Sequence, residues 1–152
     1  MGASGRRNLR GGWLAILLGA LAALPSQAAE TPSAVSPAER QEIQNVIQAQ
    51  IDAFRRDDAA AAFALASPSI QARFGTAENF LGMVRSGYEP VYRPRHYRFL
   101  ELVLADGNWV QKVIVIGPDG LAVMALYPMV RLDDGKWRTD GCYLVPLAAK
   151  DA

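Results

Sequence analysis

Residues 96–145 have the sequence HYRFLELVLADGNWVQKVIVIGPDGLAVMALYPMVRLDDGKWRTDGCYLV, and this stretch decides the fold. It consists of apolar runs separated by three Asp/Gly turns, ADGN at 105–108, GPDG at 117–120 and DDGK at 133–136. Turns this short join antiparallel neighbours, because a crossover to a parallel strand needs about a dozen residues or more. The sequence therefore predicts a four-stranded antiparallel meander, with strands at 96–104, 109–116, 121–130 and 137–145.

The central strands of this meander carry apolar residues on both faces. In the second strand, Ile114 and Ile116 alternate with Val113 and Val115. A sheet with one face in water shows a single clean apolar face. We therefore expect helices on one face and a second subunit on the other, which predicts a homodimer formed through the sheet.

The predicted helices precede the strands. Ser36-Pro37-Ala38-Glu39 combines an N-cap hydroxyl, a proline at the first helical position and a glutamate that completes a capping box, so a helix is predicted from about 37 to 56. An alanine-rich helix through Ala66, a helical turn at 70–74 and a third helix from Thr76 follow, whereas 88–92 is predicted to be extended. Helices followed by a curved meander indicate an α+β cone that folds its sheet around a pocket.

The N-terminus is typical of a secretory signal peptide. Three arginines precede an apolar run from Trp13 to Leu24, and small residues follow at Ser26 and Ala28. The run is too short for a permanent membrane anchor, which needs about 20 residues. The sequence thus predicts a signal peptide at 1–28, a lead-in at 29–36, one domain at 37–147 and export, with the bacterial periplasm as the destination.

Charge and cysteine content exclude several classes of protein. Removal of residues 1–28 takes three of the 16 Lys and Arg residues and none of the 15 Asp and Glu residues, which leaves 13 basic and 15 acidic residues. A slightly negative exported chain is a poor partner for nucleic acid, whose binding requires neutralisation of many phosphates. The lone Cys142 cannot form an internal disulfide.

The densest polar segment is Tyr92-Arg93-Pro94-Arg95-His96-Tyr97-Arg98. Its guanidinium and phenol groups are of the kind that bind a carboxylate or phosphate by paired hydrogen bonds. The candidate ligand-binding residues are Tyr92, Arg93, Arg95, Tyr97 and Arg98 of this segment, together with Cys142. Those of the segment converge only if the chain bends at Pro94, and the alternative is an edge strand whose arginines pair with Glu89 and Glu101.

Acid/base candidates are few. Asp52 on the first helix, His96 and Asp140 in the last strand are the candidate catalytic residues, because burial in a cleft could raise the pKa of either carboxylate. The alternatives are a solvent-boundary aspartate for Asp52 and a bulge or turn at Asp140-Gly141. Cys142 is either a buried small apolar residue or a ligand-contacting thiol. No metal site or cofactor is expected, since the single histidine has no neighbouring ligand set.

Three segments resemble the uncharacterised DUF4864 family within the NTF2-like superfamily. They are DDAAAAFALASPSIQARFG at 57–75, YEPVYRPRHYRFLE at 88–101 and WRTDGCYLV at 137–145. The resemblance implies an NTF2-like cone but no activity, because that family has none assigned. Superfamily members include enzymes such as ketosteroid isomerase as well as noncatalytic ligand-binding and assembly domains.

Two functions remain open on the sequence alone. The first is a noncatalytic exported domain that binds a small hydrophobic or anionic ligand or serves in assembly. The second is a small lyase, isomerase or hydrolase acting on a hydrophobic anionic compound, with Asp52, Asp140 or His96 as base and Arg95 or Arg98 as anion anchor. An aspartate or His96 meeting an arginine at an apolar cavity would favour the enzyme.

Overall fold

Five helices precede five strands in residues 34–147, the part of the chain that a computed structural model describes. The predicted α+β class, with helices before an antiparallel sheet, is confirmed. The predicted signal peptide at 1–28 and most of the lead-in lie outside the described residues. The elements are α1 (Pro37–Arg55), α2 (Ala59–Ala64), α3 (Pro68–Phe74), α4 (Ala77–Gly87), α5 (Glu89–Tyr92), β1 (His96–Ala105), β2 (Asn108–Ile116), β3 (Ala122–Arg131), β4 (Trp137–Thr139) and β5 (Tyr143–Pro146).

Helix α1 begins at the predicted capping box. The Glu39 amide donates to the Ser36 hydroxyl at 3.2 Å, and the Ser36 amide donates to the Glu39 carboxylate at 2.9 Å. Ile43, Ile47 and Ile51 recur at helical spacing and are fully buried. The apolar stripe therefore fixes the face of α1 that packs on the core.

Residues 88–92 were predicted to be extended, and this prediction is wrong. Glu89–Tyr92 form the short helix α5, with Pro90 in its first turn. Proline suits that position, because its fixed φ matches a helix and its missing N–H would have no intrahelical acceptor there. The proline that interrupts a strand pattern thus begins a helical turn, and the chain enters β1 only after Pro94.

The sheet follows the order β1-β2-β3-β4, with antiparallel neighbours throughout. The turn between β1 and β2 has φ of 49° at Asp106 and 79° at Gly107, the backbone of a type I′ hairpin. The β1–β2 register shifts between Phe99 and Leu102. Gln111 holds this bulge, because its side-chain amide donates to the Leu100 carbonyl at 2.9 Å.

The last strand was predicted as one continuous segment at 137–145, but the structure divides it into β4 and β5. Both pair with β3, through Met129↔Thr139 and Leu126↔Tyr143. Three residues at 140–142 therefore lie opposite two residues of β3. This is a β-bulge, and Gly141 has a φ of 141° within it. The sheet has five strands rather than the predicted four because the bulge interrupts the pairing.

The two faces of the sheet differ in burial. Side chains of the inner face, among them Val113, Val115 and Ala125, are fully buried under the helices. Side chains of the outer face, such as Ile114 and Met124, are half-buried within the single chain. Coverage of the inner face by helices is therefore observed, and coverage of the outer face by a second subunit stays a prediction.

Candidate functional site

A pocket of about 450 Å³ lies between the inner face of the sheet and the helices. This volume is within the usual range of small-molecule sites, about 300–1,000 Å³. The helices supply most of its apolar wall, through Phe54, Phe74, Phe80, Met83, Val84 and Val91.

The aromatic part of this wall is organised around Phe80. The Phe80 ring centroid lies 6.0 Å from that of Phe54, 5.5 Å from that of Phe63 and 5.6 Å from that of Phe74. These spacings and tilted orientations are the favourable ones for aromatic pairs. Helices α1, α2, α3 and α4 thus each place a phenylalanine in one packed cluster, which holds the wall in a fixed shape.

On the sheet side the pocket is lined by Tyr127 of β3 and by Cys142. Tyr127 is only 2% exposed, and its hydroxyl forms no well-aligned hydrogen bond among the described residues, although the Cys142 thiol, a weak acceptor, lies near it. A buried hydroxyl without a partner costs about 1–3 kcal/mol. Burial raises the pKa of Tyr127 well above its ordinary value. Burial also raises the pKa of the Cys142 thiol to about 12, and this effect outweighs the smaller lowering of the Cys142 pKa by the nearby Tyr127 hydroxyl. Both groups therefore stay neutral near pH 7.

The bulge between β4 and β5 brings Asp140, Gly141 and Cys142 to the pocket. One carboxylate oxygen of Asp140 accepts a 2.5 Å hydrogen bond from the Ser67 hydroxyl. The same hydroxyl accepts from the Ile70 amide at 3.2 Å and so caps α3. Asp140 thus connects the bulge to α3, whose side chains form part of the opposite wall.

Arg73 of α3 also lines the pocket. It is exposed, and among the described residues it forms no ion pair. Asp140 and Arg73 therefore bring a carboxylate and a guanidinium to one largely apolar cavity. The two side chains form no ion pair with each other, so the meeting of a carboxylate and an arginine that would favour an enzyme is present only as shared lining, and the arginine is not one of the predicted candidates.

The structure does not bring the Tyr92–Arg98 segment together on one ligand. The Tyr92 hydroxyl donates to Asp57, and Arg93 forms an ion pair with the same carboxylate at 2.8 Å. Arg93 also lies over the Tyr92 ring, 4.0 Å from its centroid, and donates to the Phe54 carbonyl. Tyr92 and Arg93 thus fasten α5 to the end of α1.

The other candidates of this segment separate along β1. Tyr97 is on the inner face, where it packs edge-on against Phe99 and lies under the Arg55 guanidinium. His96 and Arg98 are exposed and pair with residues of the outer face of β2. Arg95 is exposed beside the turn at Gly120. The expected pairing of arginines with Glu101 is wrong, since Lys112 holds that carboxylate at 2.7 Å.

Asp52 lies on α1, 3.5 Å from Arg55, and does not line the pocket. Among the sequence candidates, only Asp140 and Cys142 do so. Sequence reasoning missed Tyr127, Ser67 and Arg73. Alternation along β3 predicted that Tyr127 and its neighbour Leu126 point to opposite faces of the sheet. No sequence pattern, however, shows that a buried hydroxyl lacks a hydrogen-bond partner.

In residues 34–147 no three or more His, Cys, Asp or Glu side chains cluster in a way that could hold a metal ion. None of the helices in that range combines the length and the apolar character that crossing a membrane requires.

Comparison with known proteins gives one family and two similar structures. The family described as "Domain of unknown function (DUF4864)" matches residues 36–152. No functionally curated protein matches the chain.

The first similar structure is described as an NTF-2 like protein of unknown function from Burkholderia xenovorans, with 16% identity and a TM-score of 0.44 over 74% of this chain and 90% of that one. The second is a protein from Catenulispora acidiphila, with 15% identity and a TM-score of 0.45 over 72% of this chain and 91% of that one. Neither description names an activity.

Proposed function

The chain belongs to the DUF4864 family, a domain family of unknown function, and from this premise we propose that it binds a small, mainly apolar ligand without transforming it. The observation that carries the proposal is the pocket of about 450 Å³ with its aromatic and aliphatic wall. Apolar surface that a ligand covers leaves water, which favours binding by roughly 25 cal/mol per Å² before the costs of association.

Rigidity of the wall supports binding in a preformed site. The phenylalanine cluster joins four helices. Beside it, the Asp57 network, in which Asp57 binds Tyr92 and Arg93, fastens α5. When a ligand enters a pocket with such a rigid wall, little binding free energy is lost to ordering of the protein. The pocket also reaches the surface through Arg73 and Tyr143, both exposed residues of its lining.

The test uses the environment-sensitive probe 1-anilinonaphthalene-8-sulfonate and two matched variants. Met83→Trp places an indole in the pocket, whereas Met124→Trp places it on the outer face of the sheet; both methionines are half-buried. We expect Met83→Trp to weaken probe binding about tenfold, or about 1.4 kcal/mol, and Met124→Trp to leave it unchanged. Unchanged binding in Met83→Trp would refute the proposal, and a loss confined to Met124→Trp would move the site to the sheet face.

We further propose that the protein works after export, in the bacterial periplasm. The support is the sequence of residues 1–28, with its basic start, apolar run and small residues before the expected cleavage point. Expression with this segment should yield an exported protein whose mass corresponds to a chain that begins at Ala29. A product that keeps residues 1–28 in the cytoplasm would contradict the proposal.

A catalytic role is the second candidate, because Asp140 and Arg73 line the same pocket. A lyase, isomerase or hydrolase would use Asp140 as the base and Arg73 as the partner of an anionic group. Mass spectrometry of a ligand retained through native purification separates the two functions. A compound that keeps its mass and structure on prolonged incubation supports binding alone; conversion that is lost in Asp140→Asn supports the enzyme.

A further inference from the structure

The Tyr127 hydroxyl is the first of three unused hydrogen-bond donors on the sheet side of the pocket. The residue is nine-tenths or more buried, lines the pocket and forms no well-aligned hydrogen bond through its hydroxyl among the described residues. Burial holds the pKa of this phenol well above its ordinary value. The hydroxyl therefore keeps its proton and can donate a hydrogen bond to a ligand.

The bulge supplies the other two donors. The Asp140 amide donates to the Pro128 carbonyl at 2.8 Å, which continues the pairing with β3. In the described part of the chain, no group accepts a hydrogen bond from the Gly141 or the Cys142 amide. A backbone amide without an acceptor is a hydrogen-bond donor, so each of the two can donate to an oxygen atom of a ligand that reaches the bulge. Both residues line the same pocket as Tyr127.

The surroundings of these donors select a neutral oxygen. A carboxylate at the subsite would have to leave water and lie near the Asp140 carboxylate, so desolvation and like charge both oppose it there; the Arg73 guanidinium, which also lines the pocket, is exposed and favours an anion only where water reaches it. A cationic group at the subsite would face the hydrogen atoms of three donors, and the neighbouring Asp140 carboxylate already accepts from Ser67 through one of its oxygens. A carbonyl oxygen accepts two hydrogen bonds at little desolvation cost, and the apolar wall can hold the rest of the molecule.

We propose that Tyr127 and the bulge amides of Gly141 and Cys142 form a subsite for the carbonyl oxygen of an otherwise apolar ketone, ester or amide. This inference rests on the proposed function, because the ligand must occupy the pocket to reach the subsite. It adds the chemical class of the ligand, which the pocket volume alone leaves open.

Two probes of the same shape test the subsite. They are 1-acetylnaphthalene and 1-isopropenylnaphthalene, in which a methylene group replaces the carbonyl oxygen. We expect the ketone to bind the full-length processed protein about tenfold more tightly in calorimetric titration, the usual effect of one to two hydrogen bonds. Tyr127→Phe should reduce this preference to below about twofold, while Tyr88→Phe, which alters another tyrosine of the pocket lining, should preserve it.

Each outcome separates the subsite from the pocket. Equal affinity of both probes for the wild-type protein overturns the subsite and leaves the apolar pocket in place, whereas absence of binding by either probe overturns the pocket proposal itself. Amide NMR of the wild-type protein is independent of any variant: the Gly141 and Cys142 proton signals should move downfield with the ketone and not with the alkene. A preference for the ketone without these shifts overturns the role of the bulge.

Discussion

At the scale of single residues, Asp57 has three charged or polar side-chain partners in the helical layer. It follows α1 with a φ of 54° and accepts from the Tyr92 hydroxyl, from Arg93 and from Arg85. The Tyr92 hydrogen bond, followed by the charge and hydrogen bond of Arg93, lowers the pKa of Asp57 below its ordinary value of 3.8. These partners favour the ionised carboxylate, so their effect depends on pH.

We predict that Asp57 contributes acid-sensitive stability. A carboxyl whose folded pKa is lowered stabilises the fold above its unfolded pKa and loses this contribution as the pH falls through the folded value. Melting temperatures measured from neutral pH to below 3.8 should therefore fall more steeply for the wild-type protein than for Asp57→Asn. Glu39 and Glu101 also have lowered pKa values, so both proteins keep a common acid slope. Identical slopes would show that the Asp57 network does not respond to protonation.

Cys142 should react slowly in the folded protein. With a pKa raised from 9.0 to about 12, roughly one thiol in ten thousand is ionised at pH 8, against about one in ten for an ordinary cysteine. Iodoacetamide labelling followed by mass spectrometry should be at least about 100-fold slower for native than for guanidinium-unfolded protein. Comparable rates in the two states would place the thiol outside a buried environment.

The candidate residues show what a sequence can and cannot predict at this scale. Asp140 was a candidate because it is one of the few carboxylates predicted within the sheet, and Cys142 because it is the lone cysteine; both line the pocket. Tyr92 and Arg93 were grouped with a ligand site for their chemistry, yet their partner Asp57 is 35 and 36 residues distant in sequence. A long-range partner of that kind leaves no periodic signal, so only the fold identifies it.

At the scale of elements, two helices begin at a serine N-cap, and only one of these serines also contacts a residue of the pocket lining. Ser36 caps α1 in an exposed capping box, and Ser67 caps α3 while it donates to Asp140 of the bulge. Ser67 is 1% exposed. The same type of cap therefore serves only helix stability at Ser36, and both helix stability and pocket shape at Ser67.

We predict that Ser36→Ala and Ser67→Ala each destabilise the protein by about 1–2 kcal/mol, because each removes an N-cap hydrogen bond. Only Ser67→Ala should also weaken binding of 1-anilinonaphthalene-8-sulfonate, because it removes the hydrogen bond that connects α3 to Asp140 at the pocket. Urea unfolding and probe titration on both variants measure the two effects. Equal probe affinity in the two variants would mean that the Ser67–Asp140 hydrogen bond does not shape the pocket.

The elements themselves were largely predictable. The three Asp/Gly turns fixed the order of the antiparallel strands, and the capping box fixed the start of α1. The extended structure predicted around Pro90 was wrong, whereas the bulge or turn given as the alternative at Asp140-Gly141 was confirmed as a bulge; at each place one residue type permits two local structures. Pro90 suits both an interrupted strand and the first turn of a helix, and Asp-Gly suits both a turn and a bulge. Packing against neighbouring elements, rather than local propensity, decides between them.

At the scale of the whole molecule, the outer face of the sheet carries apolar side chains that are only half-buried within the described chain. Ile114 and Met124 lie directly opposite each other on adjacent strands, and Ile116 and Leu126 extend the patch. Basic side chains border these residues: Arg98 pairs with Ile114 from β1, Lys112 lies opposite Leu126, and Arg138 lies on β4. A second copy of the chain offers the same apolar centre, and a two-fold axis through it would bring the two centres together while the basic edges remain in solvent.

We therefore predict a homodimer that a single charge on this face disrupts. Ile114→Lys would place two lysines near the two-fold axis, where each loses water and faces a like charge, so the variant should be monomeric in native mass spectrometry. Leu121→Lys is the matched control, because Leu121 is 66% exposed at the start of the β3 hairpin, away from the centre of the face; it should leave the dimer intact. A wild-type protein that is monomeric at micromolar concentration would contradict the prediction. A dimer that persists in Ile114→Lys would assign the contact to another surface, and the half-buried outer face would then be an ordinary solvent boundary of the sheet.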